Sequence, residues 1–258
     1  MTLLRNTMMV AALAVAVGLA SMSVAASKTE KSQQLVNLHD LKCSTAIGDY
    51  FLKQESVLAA RAYLDRIGRE QGLGRDWNPA DPNWKQAEGM IVASLMRQVH
   101  RSFSNMEWLS EEWHQLNDRE LSEVEMDALL QHFGTDVGRK QLIIVDHSVA
   151  FHVMASLSLA GKIQDNVPGT EAERKRMQDT YYAEDQAMRF DHNENPEGTR
   201  FAFSPVGKKY FTNAVLKVSG LITRRLYESA RQIPGEIDGA APAEVQAAID
   251  AYRRGRPG

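Results

Sequence analysis

Between Leu142 and Ala160 thirteen of nineteen residues are apolar, and the exceptions include Asp146, His147 and His152. An apolar run of that length fits a helix and exceeds an ordinary strand. The ionisable residues inside it argue against a membrane span and for a central helix buried by its neighbours. A helix that is apolar on most faces needs other elements packed all round it, and the remaining sequence offers helices to do so. There is no alternating Val/Ile/Thr run and no Asn-Gly hairpin signal. The predicted class is all-α, an irregular multi-helix bundle of about seven to nine helices with the central one near 136–160.

The flanking elements follow from caps and spacing. Residues 33–72 carry Leu35, Leu38, Leu41, Val57, Leu58, Ala62, Leu64 and Ile67 at helical intervals, with a break expected at Gly48-Asp49 and a stop at Gly72 and Gly74. Asp81-Pro82 is an N-cap followed by a first-turn proline, opening a helix with Ile91, Leu95, Val99 and Phe103 in one stripe. That helix continues or bends at Ser104-Asn105 into a segment holding Trp108, Leu109, Trp113 and Leu116. Ser122-x-x-Glu125 is a capping box for a short helix to about Phe133, and Thr135-Asp136 starts the central helix, which Gly161 ends. Pro168-Gly169 reads as a turn, Thr170-x-x-Glu173 as a second capping box for a helix to Arg189, and Asp191 to Thr199 as a polar loop. Ser204-Pro205 caps a long helix through Phe211, Val215, Val218 and Ile222. Pro234-Gly235 is expected to begin a small-residue linker, with a short amphipathic segment at 243–253.

The first 26 residues read as a leader. Arg5 precedes Met8–Ala20, thirteen residues without a charge, and Val24-Ala25-Ala26 offers a cleavage site before Ser27. Such a core is too short to span a bilayer. The expected destination is the periplasm or the exterior. Behind the leader 29 basic residues face 33 acidic ones, a net charge of −4, which argues against a nucleic-acid partner. Cys43 is the single cysteine, so no intrachain disulfide can form, and its place between Leu41 and Ile47 suits a core thiol. The chain is divided into the leader, a helical domain at 27–233 with possible halves at 27–161 and 162–233, and a tail at 234–258.

Two helix starts look alike. His132-Phe133-Gly134-Thr135-Asp136-Val137-Gly138-Arg139-Lys140 and Phe201-Ala202-Phe203-Ser204-Pro205-Val206-Gly207-Lys208-Lys209 both place a hydroxyl N-cap, then Val-Gly, then basic residues. Glycine inside a first turn costs up to about 1 kcal/mol against alanine, so close approach of a neighbouring helix or of the preceding chain is expected at Gly138 and Gly207. This pattern resembles an exported bacterial domain-of-unknown-function family, number twenty fifty-nine. Its features are a short acidic-started helix, an aromatic pair and Ser/Thr-Pro-x-Gly opening a longer helix. Residues 121–161 carry the resemblance through Ser122, Glu125, Leu129, Leu130, Phe133, Thr135, Val137 and Gly138, with a weaker second copy at 201–231 through Ser204, Pro205 and Gly207. The first copy departs at His132 and at Asp136, where the pattern has proline. The resemblance implies export and a helical fold, and brings no catalytic residues.

Four constellations could carry chemistry. Glu111-x-x-His114 has the spacing of di-iron bundles but lacks its second copy, which leaves an exposed polar helix face as the other reading. Asp146, His147 and His152 lie in the apolar helix, yet i and i+5 set the two histidines about 140° apart, so they cannot chelate together. Hydrogen-bonded core residues are the alternative there. Asp191-x-Asn193-x-Asn195 imitates the start of a calcium loop but has Pro196 and Ala202 where glycine and glutamate are required. Trp77, Trp84, Trp108 and Trp113 cluster in sequence and either line a ligand groove or pack helix junctions. No catalytic residue, resident metal or cofactor is assigned. The reading is a non-enzymatic envelope protein that binds a protein partner or an apolar ligand in a groove between helices. The alternatives are a metal-assisted enzyme using Asp146, His147 and His152 or Glu111 and His114, and a structural or assembly factor.

Overall fold

A computed structural model describes residues 26–103, 107–159, 195–240 and 242–255. The leader, the bend at Ser104-Asn105, the stop at Gly161, the Pro168-Gly169 turn, the Thr170–Glu173 cap with its helix, and Asp191 and Asn193 lie outside these residues. Within them every regular element is helical. The order is α1 (Lys28–Asn37), α2 (Lys42–Glu70), α3 (Pro82–Phe103), α4 (Glu107–Glu120), α5 (Glu123–Phe133), α6 (Asp136–Leu159), α7 (Pro196–Phe203), α8 (Pro205–Thr212), a π-helical segment (Asn213–Val218), α9 (Ser219–Ala240) and α10 (Pro242–Arg254). No helix among these residues is long and apolar enough to cross a membrane.

The long helices α2, α3, α6 and α9 form the body. Helix α2 packs against α3, α6 and α9, while α10 covers α3 and α1 lies across α4 and α5. The buried side of α6 carries Leu142, Val145, Val149, Val153 and Leu157, steps of three and four that keep one stripe inside. Ile143 and Phe151 on the same helix remain exposed, so its burial is one-sided among the described residues.

Local signals mark most helix starts. Asp81 Oδ1 accepts the Asn83 and Trp84 amides at 2.7 and 3.2 Å. Ser122 and Glu125 close a reciprocal box, and Ser27 with Glu30 closes another at the start of α1. Gly72 and Gly74, both at positive φ (66° and 78°), follow the end of α2.

Three boundaries differ from the sequence reading. The break expected at Gly48-Asp49 falls instead at residues 38–41, and Gly48 is interior to α2. A Cβ there would overlap the Phe103 ring, so this glycine serves helix contact and not a turn. The polar loop ends by Asn195, because Pro196 takes the first-turn position that opens α7. Helix α9 runs through Pro234 to Ala240 where a linker was expected. An interior proline costs about 3 kcal/mol. Ile233 and Ile237 are buried beside it, and two such side chains contribute roughly 3–6 kcal/mol, enough to offset that cost.

The matched helix starts form a pair of corners. Thr135 Oγ1 accepts the Gly138 amide at 3.0 Å and Ser204 Oγ accepts the Gly207 amide at 3.1 Å. A Cβ on Gly138 would overlap the His132 carbonyl oxygen, and one on Gly207 would overlap the Phe201 carbonyl oxygen. Of the two neighbours expected, it is the preceding chain that comes close. His132 and Phe201, each six residues before its glycine, stack on one another with centroids 3.6 Å apart and planes at 8°. The packing is reciprocal, α5 against α8 and α6 against α7. The two corners therefore meet through equivalent residues, with crossed helix contacts on either side of the stack.

Candidate functional site

The connection between α1 and α2 drops His39 into the interior. Its side chain has no exposed area, and Nδ1 lies 2.5 Å from Asp146 Oδ1 of α6. The other ring nitrogen, Nε2, lies 2.5 Å from the Tyr210 hydroxyl of α8. The Asp40 amide donates to Asp146 Oδ2 at 2.8 Å, so both carboxylate oxygens are engaged. An ionised Asp146 can only accept, which puts the Nδ1 proton on His39 and leaves Nε2 to accept the phenol proton. Trp113 of α4 covers the imidazole, with centroids 4.1 Å apart. Burial first, and then the negative charge of Asp146, push the Tyr210 phenol well above its ordinary value.

Above this chain is an open cleft of about 660 Å³ at the α1–α2 corner. Val36, Leu41, Ala46 and Trp113 supply apolar lining, and Asn37, Asp40, Thr45, Asp49 and Ser110 supply polar groups. Lys42 bonds Asp40 at 2.8 Å and holds that carboxyl below its usual range. The Tyr210 side chain is 1 % exposed and Asp146 is 7 % exposed. No reacting atom can approach the phenol or Nε2 from solvent, so these bonds act by fixing the α1–α2 connection, whose His39, Asp40 and Leu41 line the cleft.

The residues singled out from sequence are dispersed. Asp146 belongs to the buried chain. His147 acts on the Asp40 charge. His152 donates Nδ1–H to the Ser148 carbonyl at 2.8 Å and lines a separate groove. Glu111 accepts from Gln115, whereas His114 bonds Ser32 at 2.8 Å and lies 3.5 Å from Asp118, so the Glu111–His114 pair shares no centre. Among the described residues no group of three or more His, Cys, Asp or Glu side chains is placed to hold a metal. Cys43 is partly buried against the core.

The tryptophans occupy three places. Trp77 and Trp84 meet edge to face at 5.4 Å in the core, beside Tyr252 of α10. Trp108 packs on Phe103 under the Arg225 guanidinium. Trp113 alone lines the cleft. Of the corner residues, Ser122, Glu125, Thr135, Gly138, Ser204, Pro205 and Gly207 take up the cap and close-approach roles described above, and Glu125 also receives Lys209 at 3.0 Å.

Sequence reasoning did not find His39 or Tyr210. His39 follows no motif, and 107 residues separate it from Asp146 and 171 from Tyr210. The one usable signal was the carboxylate in an apolar helix, which announces a partner without naming it. Comparison with protein-family models, curated proteins and solved structures gave no match.

Proposed function

We propose that this chain is an exported, non-enzymatic binding protein whose α1–α2 cleft takes a small ligand with an apolar body. The cleft volume of about 660 Å³ carries the reading. It falls within the roughly 300–1,000 Å³ of small-molecule sites, and its mix of apolar walls with a few polar groups is of that kind. A macromolecular partner would need a broader continuous surface. The buried chain from Asp146 to Tyr210 supports the reading by holding one wall in place, since preformed sites bind at lower entropic cost. Export rests on the leader at residues 1–26.

The test is native mass spectrometry of the processed protein purified gently from the periplasm, beside an Ala46→Trp variant. Ala46 is exposed on the cleft, so the indole fills the space without entering the core. A small-molecule adduct on the parent that is lost in the variant, with the melting temperature unchanged, is expected. A bare parent chain, or an adduct that survives Ala46→Trp, removes the reading.

A further inference from the structure

We propose, on the basis of that export reading, that removal of the leader turns the Ser27 α-amino group into a structural cation, which the Glu30 carboxylate holds at the start of α1.

The geometry for this pair is present in the folded chain. The Ser27 backbone nitrogen donates to Glu30 Oε2 at 2.7 Å, and the Glu30 amide donates back to Ser27 Oγ at 3.3 Å. This reciprocal box opens α1. It falls on the residue that follows the Val24-Ala25-Ala26 cleavage signal. Hydrolysis of the Ala26–Ser27 bond adds one water across it. Ala26 leaves with the leader as a carboxylate, and the proton of the new carboxyl passes to the new amine. An α-amine ordinarily titrates at about 7.7–8.0, so at neutral pH it is mainly the ammonium form. A neutral N–H donor thereby becomes a cation bonded to a carboxylate, and charge-assisted bonds are roughly twice as strong as neutral ones. The Ser27 amide first, and then its hydroxyl, already hold the Glu30 carboxyl below its ordinary range.

Glu30 has a second effect. A bare ammonium at a helix start opposes the positive end of the helix dipole and loosens the first turn. A carboxylate in that turn offsets it. The residues that follow are anchored at once. Lys28 Nζ donates to the Asp118 carbonyl at 2.5 Å, Lys31 Nζ to Asp127 Oδ2 at 2.8 Å and Ser32 Oγ to the His114 carbonyl at 3.1 Å. A chain beginning at Ser27 therefore enters α1 without a free tail. The same helix delivers Val36 and Asn37 to the α1–α2 cleft, so the clamp steadies one side of that cleft.

The experiment takes the processed chain from the periplasm, measures its intact mass, and titrates its α-amine by NMR in the parent and in Glu30→Gln. Glu30 is exposed, so the isosteric amide leaves the fold in place. A mass that begins at Ser27 is expected. The parent amine should titrate about half a unit above that of the variant, and salt at about 1 M should shrink the difference. An unprocessed chain removes the export reading and this proposal with it. A processed chain that begins elsewhere, or a Ser27 amine that titrates alike in parent and variant, leaves export standing and overturns the clamp.

Discussion

The Tyr210 hydroxyl meets His39 Nε2 at 2.5 Å, and burial shields both groups from water. Its pKa is raised above the ordinary 10.0, by burial and then by Asp146. The folded protein therefore keeps the phenol proton to higher pH than the unfolded chain does. That contribution to stability is present in full below about pH 10 and is lost as pH rises from there toward the raised folded value. Tyr210→Phe should cost about 1–2 kcal/mol near neutrality, because it leaves Nε2 without its donor. The difference between parent and variant should then shrink above about pH 10, where only the parent carries this linkage. Urea unfolding at about pH 8 and about pH 11 measures both effects, and a gap that stays constant would refute the assignment.

At the scale of elements, the two corners show what a first-turn glycine does here. Gly138 and Gly207 each lie against the carbonyl oxygen of the preceding helix end, a backbone atom that cannot swing aside as a side chain can. Gly138→Ala is expected to cost about 1–3 kcal/mol in urea unfolding, despite alanine's higher helix propensity. If Gly138→Ala proves neutral, close approach is not the reason for the glycine. The π-helical segment has a comparable cause in packing. Tyr210, Ala214, Val218, Ile222 and Leu226 are all buried at steps of four. On a uniform α-helix such a series drifts by about 40° per step, and a wider turn within it restores the inward direction.

At the scale of the molecule, Asp146 ties together three segments that are remote in sequence: the α1–α2 connection, α6 and, through His39, α8. Asp146→Ala leaves a buried imidazole and a backbone amide without their acceptor. The expected loss is about 2–5 kcal/mol, from two donors left without an acceptor, read as a lower urea midpoint. A loss under about 1 kcal/mol would mean that the chain bears little of the fold's stability. Much of the architecture was legible before any coordinates, because caps and apolar spacing act within a turn or two of the residues that carry them. Asp81, Ser122, Thr135 and Ser204 announce their helices, whereas α6, read from its apolar run as buried all round, is buried on one side and leaves Ile143 and Phe151 exposed. Gly48 and Pro234 misled for the converse reason, since each is a local breaker whose effect is overridden by Phe103 on one side and by the burial of Ile233 and Ile237 on the other. By itself the sequence determined that this chain is helical, where most of its helices begin, and that Ile91, Leu95, Val99 and Phe103 turn one face of α3 inward. The tertiary structure alone decided that Asp146 meets His39 and Tyr210, that only Trp113 of the four tryptophans reaches the cleft, and that two grooves open on different helices. Helix signals are short-range, whereas the partner of a buried polar group is whichever residue packing brings within hydrogen-bond distance.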